Sequence, residues 1–314
     1  MSQNKSNAPL KIAILGANGI GRVHARIFHS LGAKIEAITC STLKSVSQAA
    51  KFLLDKYGIR TKTFSSIDSA IAEPIDAISI CTPPHLHYDY ILAAFDRKLP
   101  VFCEKPLFWD NLCNVHNVKS RLSILENHQH RQLFMNTNNT VLFEALSNSL
   151  PGPDNISDFS LLFYTQGHYN YEDIAIDLLP HGFSILTNYF GEQKIHSFDW
   201  EASQNNFRCN FLYGHCNVEF DFQEKPNGSK RLSFKCNDNY FERIQEGKDQ
   251  SYKVYMQEMK TGNRFYSDDP FKVYIEKFIQ YCLNDTMKIP DEFNDASINL
   301  RLMAYCLNKV NSKN

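Results

Sequence analysis

Residues 11–15 form a short apolar, β-branched run ending in Gly16, the pattern of a buried strand. Ile20, Val23, Ile27, Phe28 and Leu31 then recur at helical spacing, and Gly32 closes the stretch. The alternation continues with a strand over 35–40, a helix over 46–57 closed by Gly58, a strand over 77–81 and a helix over 88–95. A strand over 99–103, a helix over 110–126 and a strand over 133–136 follow. Strands alternating with helices predict a parallel sheet covered on both faces, and handedness rules favour a doubly wound topology.

Beyond residue 136 the pattern changes. Segments 159–165, 195–201, 207–213, 217–222, 231–236 and 252–259 alternate or run apolar at strand length, separated by Asn, Gly, Asp and Pro. They predict an α+β domain built on an open, mostly antiparallel sheet, closed by helices over 270–283 and 295–310. The helix-strand alternation stops near residue 125, so two domains are expected, over 1–125 and 126–314. At 314 residues the chain exceeds what one hydrophobic core usually serves, which agrees.

Composition narrows the partners. A formal net charge of -1 gives no bulk attraction to phosphate backbones or anionic lipid. The basic cluster at 225–231 is interrupted by Pro, Asn and Gly and reads as a solvated loop. Neither a nucleic-acid nor a membrane partner is expected, and no uncharged apolar run reaches the length of a membrane span. Residues 1–9 are polar and lack the apolar centre of a secretory signal. Nine cysteines, an odd number without C-x-x-C pairs, fit a reducing, cytoplasmic setting. Cys81, Cys103, Cys282 and Cys306 fall inside predicted elements, where a thiol packs as a small hydrophobe.

The first chemical motif is the turn Gly16-Ala17-Asn18-Gly19-Ile20-Gly21, between the first strand and the first helix. Such a turn lets backbone N–H groups and a helix N-terminus approach a pyrophosphate. Asn18 occupies the middle glycine position of G-x-G-x-x-G, a change that Asn tolerates better than most residues. The same turn can also serve as a ligand-free connection, so alone it leaves function open. About 20 residues further on, an acidic side chain normally binds the adenosine ribose. Here the second strand ends in Cys40-Ser41-Thr42 with Lys44 close behind. Without a carboxylate to repel a 2′-phosphate, and with hydroxyls and a lysine to bind one, NADP is expected over NAD.

Two further segments carry more. One is Cys81-Thr82-Pro83-Pro84-His85-Leu86-His87, followed downstream by Cys103-Glu104-Lys105-Pro106; the other is Asp177-Leu178-Leu179-Pro180-His181, opening an apolar helix that Gly191 stops. With the turn from Gly16 to His24, these resemble the Gfo/Idh/MocA family of oxidoreductases over nearly the whole chain. The resemblance implies an N-terminal Rossmann domain and a C-terminal domain whose open sheet makes a homodimer or homotetramer. It implies hydride transfer between NAD or NADP and a secondary alcohol or ketone of a sugar, nucleotide-sugar or cyclitol. Matched by position, Lys105 stands beside substrate and nicotinamide, Asp177 and His181 form the active-site dyad, and Thr82, Pro83 and His87 line the nicotinamide-ribose side. Glu104 falls with Lys105 in the cofactor-side motif.

The residue types suit that chemistry. A carbinol carbon releases hydride readily only if its hydroxyl proton also departs. A neutral imidazole accepts that proton near physiological pH, and a carboxylate can orient it. Asp177 and His181, four apart, share one helical face. A lysine ammonium stabilises developing alkoxide charge. His181 is therefore expected as general acid/base, Asp177 as its orienting or substrate-binding partner, and Lys105 as electrostatic and relay group. Tyr164, His168 and Tyr169, placed in a loop before the dyad, are candidate substrate contacts, and His24 is expected to pack near the cofactor turn. His85 with His87, His128 with His130, and His215 beside Cys216 lack further ligands at matching spacing, so no metal site is expected. Residues 136–139, Asn-Thr-Asn-Asn, lack the arginine that relatives commonly carry, which leaves the substrate open. Two other readings stay open: an enzyme that holds its dinucleotide through transient oxidation, as an epimerase or glycosidase does, and a non-catalytic dinucleotide-binding regulator.

Overall fold

The computed structural model describes residues 8–247, 253–283 and 292–311. Most of the polar N-terminal stretch (residues 1–7) and Tyr252, the head of the expected 252–259 strand, lie outside the described residues. The chain forms two compact units. One holds Met1–Asp110, Leu122–Asn136 and Phe271–Asn294, the other Asn111–Arg121, Thr137–Pro270 and Asp295–Asn314.

The chain begins β1 (Lys11–Leu15), α1 (Ile20–Ser30), β2 (Lys34–Thr39), α2 (Leu43–Tyr57), β3 (Lys62–Phe64), α3 (Ile67–Ile71) and β4 (Ala77–Ile80). It continues through α4 (His87–Asp96), β5 (Val101–Glu104), α5 (Val115–Glu126) and β6 (Leu133–Asn136). The strands pair in the order β3-β2-β1-β4-β5-β6, every pair parallel. This is the doubly wound order, which reverses direction between β1 and β4 and opens a crevice at their C-terminal ends.

Parallel strands covered on both faces must be apolar throughout, and β4, β5 and β6 are buried at every position. The core of this unit is strongly aromatic. Phe278 packs its ring 5.4 Å from Phe102, 5.5 Å from Phe134 and 6.2 Å from Phe28. α2 starts at Leu43, three residues earlier than its apolar period suggests, because the Thr42 hydroxyl caps it by accepting from Ser45 N. α5 starts later than expected, after Asn114, whose side chain accepts from Asn117 N. The pattern reading leaves out β3 and α3, of three and five residues, which are too short to display a period.

The second unit is built on α6 (Asn139–Ser147), β7 (Asp158–Thr165), α7 (Asp173–Phe190), β8 (Ile195–Ser203), β9 (Asn206–Tyr213), β10 (Cys216–Glu224) and β11 (Arg231–Cys236). β12 (Asn239–Glu246), β13 (Lys253–Glu258) and β14 (Arg264–Ser267) follow. α8 (Pro270–Leu283), which carries Phe278 into the first core, and α9 (Phe293–Asn311) end the described chain. The strand order is β14-β13-β12-β11-β7-β10-β9-β8, antiparallel except for β7 beside β10.

Alternation decides its faces. Phe207, Cys209 and Phe211 of β9 and Val218, Phe220 and Phe222 of β10 are buried, whereas Arg208, Asn210, Asn217 and Glu219 are exposed on the other side. α6 and α7 cover the apolar side. On the polar side Arg208 pairs with Asp221 at 3.0 Å and Glu201 at 3.3 Å. β12 escapes the pattern reading because Phe241 alone of its eight residues is buried.

Candidate active site

The glycine turn sits at the β1 and β4 strand ends. Gly16 has φ +88°, and a Cβ there would stand 2.7 Å from the Cys81 carbonyl oxygen. A Cβ on Gly21 would stand 2.1 Å from the Gly16 oxygen. The outer glycines are therefore required sterically: one turns the chain and the other brings α1 against it. Gly19, with φ +47°, precedes Ile20 at the head of α1 and has no side-chain cap.

Asn18 is exposed, and its amide is used within the protein. Nδ2 donates to Ser45 Oγ at 2.7 Å, while Oδ1 accepts from Arg22 at 3.1 Å. The second bond ties the turn to α1, the first to the first turn of α2. Ser41, Thr42 and Lys44, all exposed, lie at that same helix start. The structure thus brings together Gly16, Asn18, Gly19, Ile20, Gly21, Ser41, Thr42 and Lys44.

After β4, Thr82 is half-buried, and its Oγ1 is buried with no hydrogen-bond partner among the described residues. Pro83 is exposed beside it. His87, expected to line this rim, instead lies sealed beneath it at 0% exposure. Its Nε2 is 2.7 Å from Thr82 O and its Nδ1 3.0 Å from Pro106 O. Burial pushes the His87 pKa down despite these bonds. It is a strut between two loops, placed by tertiary packing that its motif could not reveal.

Glu104 ends β5 and is also buried. It accepts from His24 Nε2 at 2.8 Å and from Asn136 Nδ2 at 2.6 Å. Burial alone would raise the Glu104 pKa, but His24, Asn136 and the Lys105 ammonium hold it below the ordinary range. For His24 burial opposes the charge, while Cys81 and Glu104 outweigh it and raise the pKa. A buried ion pair therefore anchors the backbone from which half-buried Lys105 projects. The sequence marks Glu104, His24 and Asn136 separately but not their meeting, since the partners lie 80 and 32 residues from Glu104.

In the second unit, Asp177 and His181 lie within α7, not at its start, because the helix begins at Asp173 and buries Ile174 and Ala175. Pro180 lies inside the continuous helix between them, where it has no backbone N–H to donate. Buried Asn299 of α9 donates to Pro180 O and to Ser184 Oγ, both at 2.7 Å, and so fixes this stretch. Asp177 is half-buried, and the His181 ring stands edge-on to Phe163 at 5.2 Å.

Tyr164 does not join them. It belongs to β7, not to a loop, and alternation turns it to the face opposite Phe163, where its hydroxyl donates to Asp221 at 3.2 Å. His168 and Tyr169 are exposed in the connection to α7. That connection rests on Glu224, whose fully buried carboxylate accepts from Tyr169 N at 2.9 Å. A Cβ on Gly167 would overlap Glu224 at 1.9 Å. Spacing alone points to neither Glu224 nor Asn299.

Among solved structures, the fold is similar to the UDP-N-acetylglucosamine 3-dehydrogenase of Acidithiobacillus ferrooxidans, with TM-score 0.71 and 16% identity over 96% of this chain and 97% of that one. It is also similar to the myo-inositol dehydrogenase of Lactobacillus casei solved with NAD(H) and myo-inositol, with TM-score 0.73 and 13% identity over 97% and 95%. In sequence, the chain is 35% identical over 104 residues to an inositol 2-dehydrogenase of Streptomyces avermitilis, covering 32% of this chain and 29% of the relative. It is 30% identical over 107 residues to the D-glucoside 3-dehydrogenase of Escherichia coli, covering 34% and 30%. The chain thus spans less than a third of either relative's length by sequence. Residues 10–149 match the profile of the Gfo/Idh/MocA oxidoreductase family with an NAD-binding Rossmann fold, so this N-terminal stretch is similar to that family.

Proposed function

We propose that the protein transfers hydride between a nicotinamide dinucleotide and a secondary alcohol or ketone of a sugar, nucleotide-sugar or cyclitol. The observation that carries this reading is the cradle at the strand-order reversal, a tight turn that forms because Gly16 and Gly21 have no Cβ to collide with the Cys81 and Gly16 carbonyl oxygens. The buried Thr82 Oγ1 beside it offers a hydrogen bond to a ligand. Both features fit a dinucleotide, whose nicotinamide ring exchanges hydride when bound.

The chain's own residues handle binding, orientation and the proton. The backbone of residues 16–21 and the start of α1 would hold the pyrophosphate. Ser41, Thr42 and Lys44 at the head of α2 favour a 2′-phosphate, since no carboxylate stands there to repel it, and so favour NADP over NAD. Lys105, on a backbone held by the His24–Glu104 pair, would stabilise the alkoxide. His181 would take the hydroxyl proton at a ring nitrogen, with Asp177 orienting it or the substrate. His168 and Tyr169 remain candidates for substrate contact. We assign the exposed polar face of the eight-stranded sheet to contact between copies of the chain, as a homodimer or homotetramer.

The test is a fluorescence titration with NADH and NADPH, followed by a polyol and keto-sugar screen for net reduction or oxidation of the dinucleotide. Binding of neither dinucleotide would refute the reading. Binding without net turnover would replace it with transient oxidation or regulation.

A further inference from the structure

The proposed hydride transfer gives Cys81 no part. Yet three elements bring a thiol, an imidazole and a carboxylate into line. Cys81 Sγ, just after β4, lies 3.2 Å from His24 Nδ1 on α1. His24 Nε2 lies 2.8 Å from Glu104 Oε1 at the end of β5. The Ser79 hydroxyl is within reach of both His24 Nδ1 and Cys81 Sγ, at 2.9 Å and 3.6 Å. A carboxylate on one ring nitrogen stabilises the imidazolium, and an imidazolium on the other side stabilises a thiolate.

The other cysteines are placed differently. Cys103, Cys209, Cys236 and Cys306 are sealed, and burial pushes their thiols up. Only Cys81 and Cys282 among the nine are half-buried. Cys81 also abuts the glycine turn. Its carbonyl oxygen fills the space of a Gly16 side chain, and its own Cβ would be 3.4 Å from a Cβ on Gly21. The sulfur is one bond from that Cβ, so an oxygen added to it enlarges the side chain that adjoins the turn.

We propose that the His24–Glu104 pair activates the Cys81 sulfur towards hydroperoxides, that these oxidise it to a sulfenic acid, and that the oxidised form obstructs the glycine turn. The thiolate attacks one peroxide oxygen, so that an S–O bond forms as the O–O bond breaks. Sulfur loses two electrons to the peroxide. The departing hydroxide or alkoxide takes the Nδ1 proton of His24 and leaves as water or alcohol. The obstruction, unlike the thiol chemistry, rests on reading the turn as the dinucleotide site.

The full chain is treated with hydrogen peroxide, sulfenic acids are trapped with dimedone, and each cysteine is followed by peptide mass spectrometry. Cys81 is expected to label about tenfold faster than Cys282 or any buried thiol, and His24→Asn and Glu104→Gln each to slow it by about tenfold. Labelling of Cys282 ahead of Cys81, or an unchanged Cys81 rate in both folded variants, overturns the activated thiol. NADPH and NADH binding is then measured before and after peroxide. Loss of binding in the wild type, but not in Cys81→Ser, supports the obstruction, and equal binding by oxidised wild type overturns it. If the reduced protein binds neither dinucleotide, the obstruction and the proposed function both fall, while the labelling result still decides the thiol chemistry.

Discussion

A Cβ on Gly182 would stand 2.5 Å from the ring of Phe220, so α7 meets β10 at a point with no room for a side chain. Gly182 follows His181 directly, and Phe220 is fully buried between Phe183 and Phe211, at ring separations of 5.8 Å and 5.3 Å. Gly182→Ala should therefore destabilise the protein by about 1–3 kcal/mol despite its higher helix propensity, because a packed aromatic layer cannot give way. Urea unfolding checks this, and a variant as stable as the wild type refutes the close packing.

The turn offers a contrast between two glycines. Gly21→Ala places a methyl 2.1 Å from the Gly16 oxygen, whereas a Cβ on Gly19 meets nothing within 4 Å. Gly19→Ala should cost only backbone strain of about 1 kcal/mol, since its φ of +47° disfavours a side chain. Gly21→Ala should cost more and should abolish detectable NADPH and NADH binding. Equal affinities in the two variants would contradict the cradle.

His24 and Glu104 give the first unit a definite pH dependence. The folded pKa of His24 is raised from 6.5 to about 10, so its stabilisation is complete below 6.5 and is lost as pH rises towards 10. The folded pKa of Glu104 is lowered from 4.5, so its stabilisation is present above 4.5 and is lost as pH falls through the lowered value. Both contributions are whole between 4.5 and 6.5. Glu104→Gln should cost about 3–5 kcal/mol there by leaving a buried charge uncompensated. It should also flatten the alkaline fall in melting temperature between pH 7 and 10, and a parallel fall in both proteins counts against the ion pair.

Cofactor preference turns on the head of α2. Lys44→Glu should weaken NADPH binding by about tenfold, near 1.4 kcal/mol, and leave NADH almost unchanged. Paired titrations of the variant measure this directly. An equal loss for both dinucleotides, or tighter NADH than NADPH binding by the wild type, removes the proposed preference.

The proton-transfer roles separate turnover from binding. Lys105→Ala and His181→Ala should each lower turnover by about 10²–10⁴-fold while dinucleotide affinity stays within about threefold. Tyr164→Phe, which removes only a bond to Asp221 on the far face of the sheet, should change turnover little. A large kinetic effect at Tyr164 with none at His181 would reverse the assignment.

The sequence by itself determined the two architectures, because both are written locally. A strand buried on both faces must be apolar along its length, as residues 77–80 and 101–104 largely are, and a half-buried strand must alternate, as β9 and β10 do. It also marked Gly16 and Gly21, since only glycine has no Cβ to collide with a neighbouring backbone. Short or charged edges stayed hidden: β3 has three residues, and β12 spends Glu242 on an ion pair with Arg231 at 2.8 Å. The sequence reading left Tyr164 among the substrate candidates, and only its place in β7 turned it away from Phe163; nor can alternation say which face carries His181. Tertiary structure alone decided that, along with the burial of His87, the meeting of Cys81, His24 and Glu104, and the support of the 166–169 connection by Glu224. These relationships join residues tens of positions apart. They are set by which helix covers which strand end, a consequence of packing the whole core that no short window of residues contains.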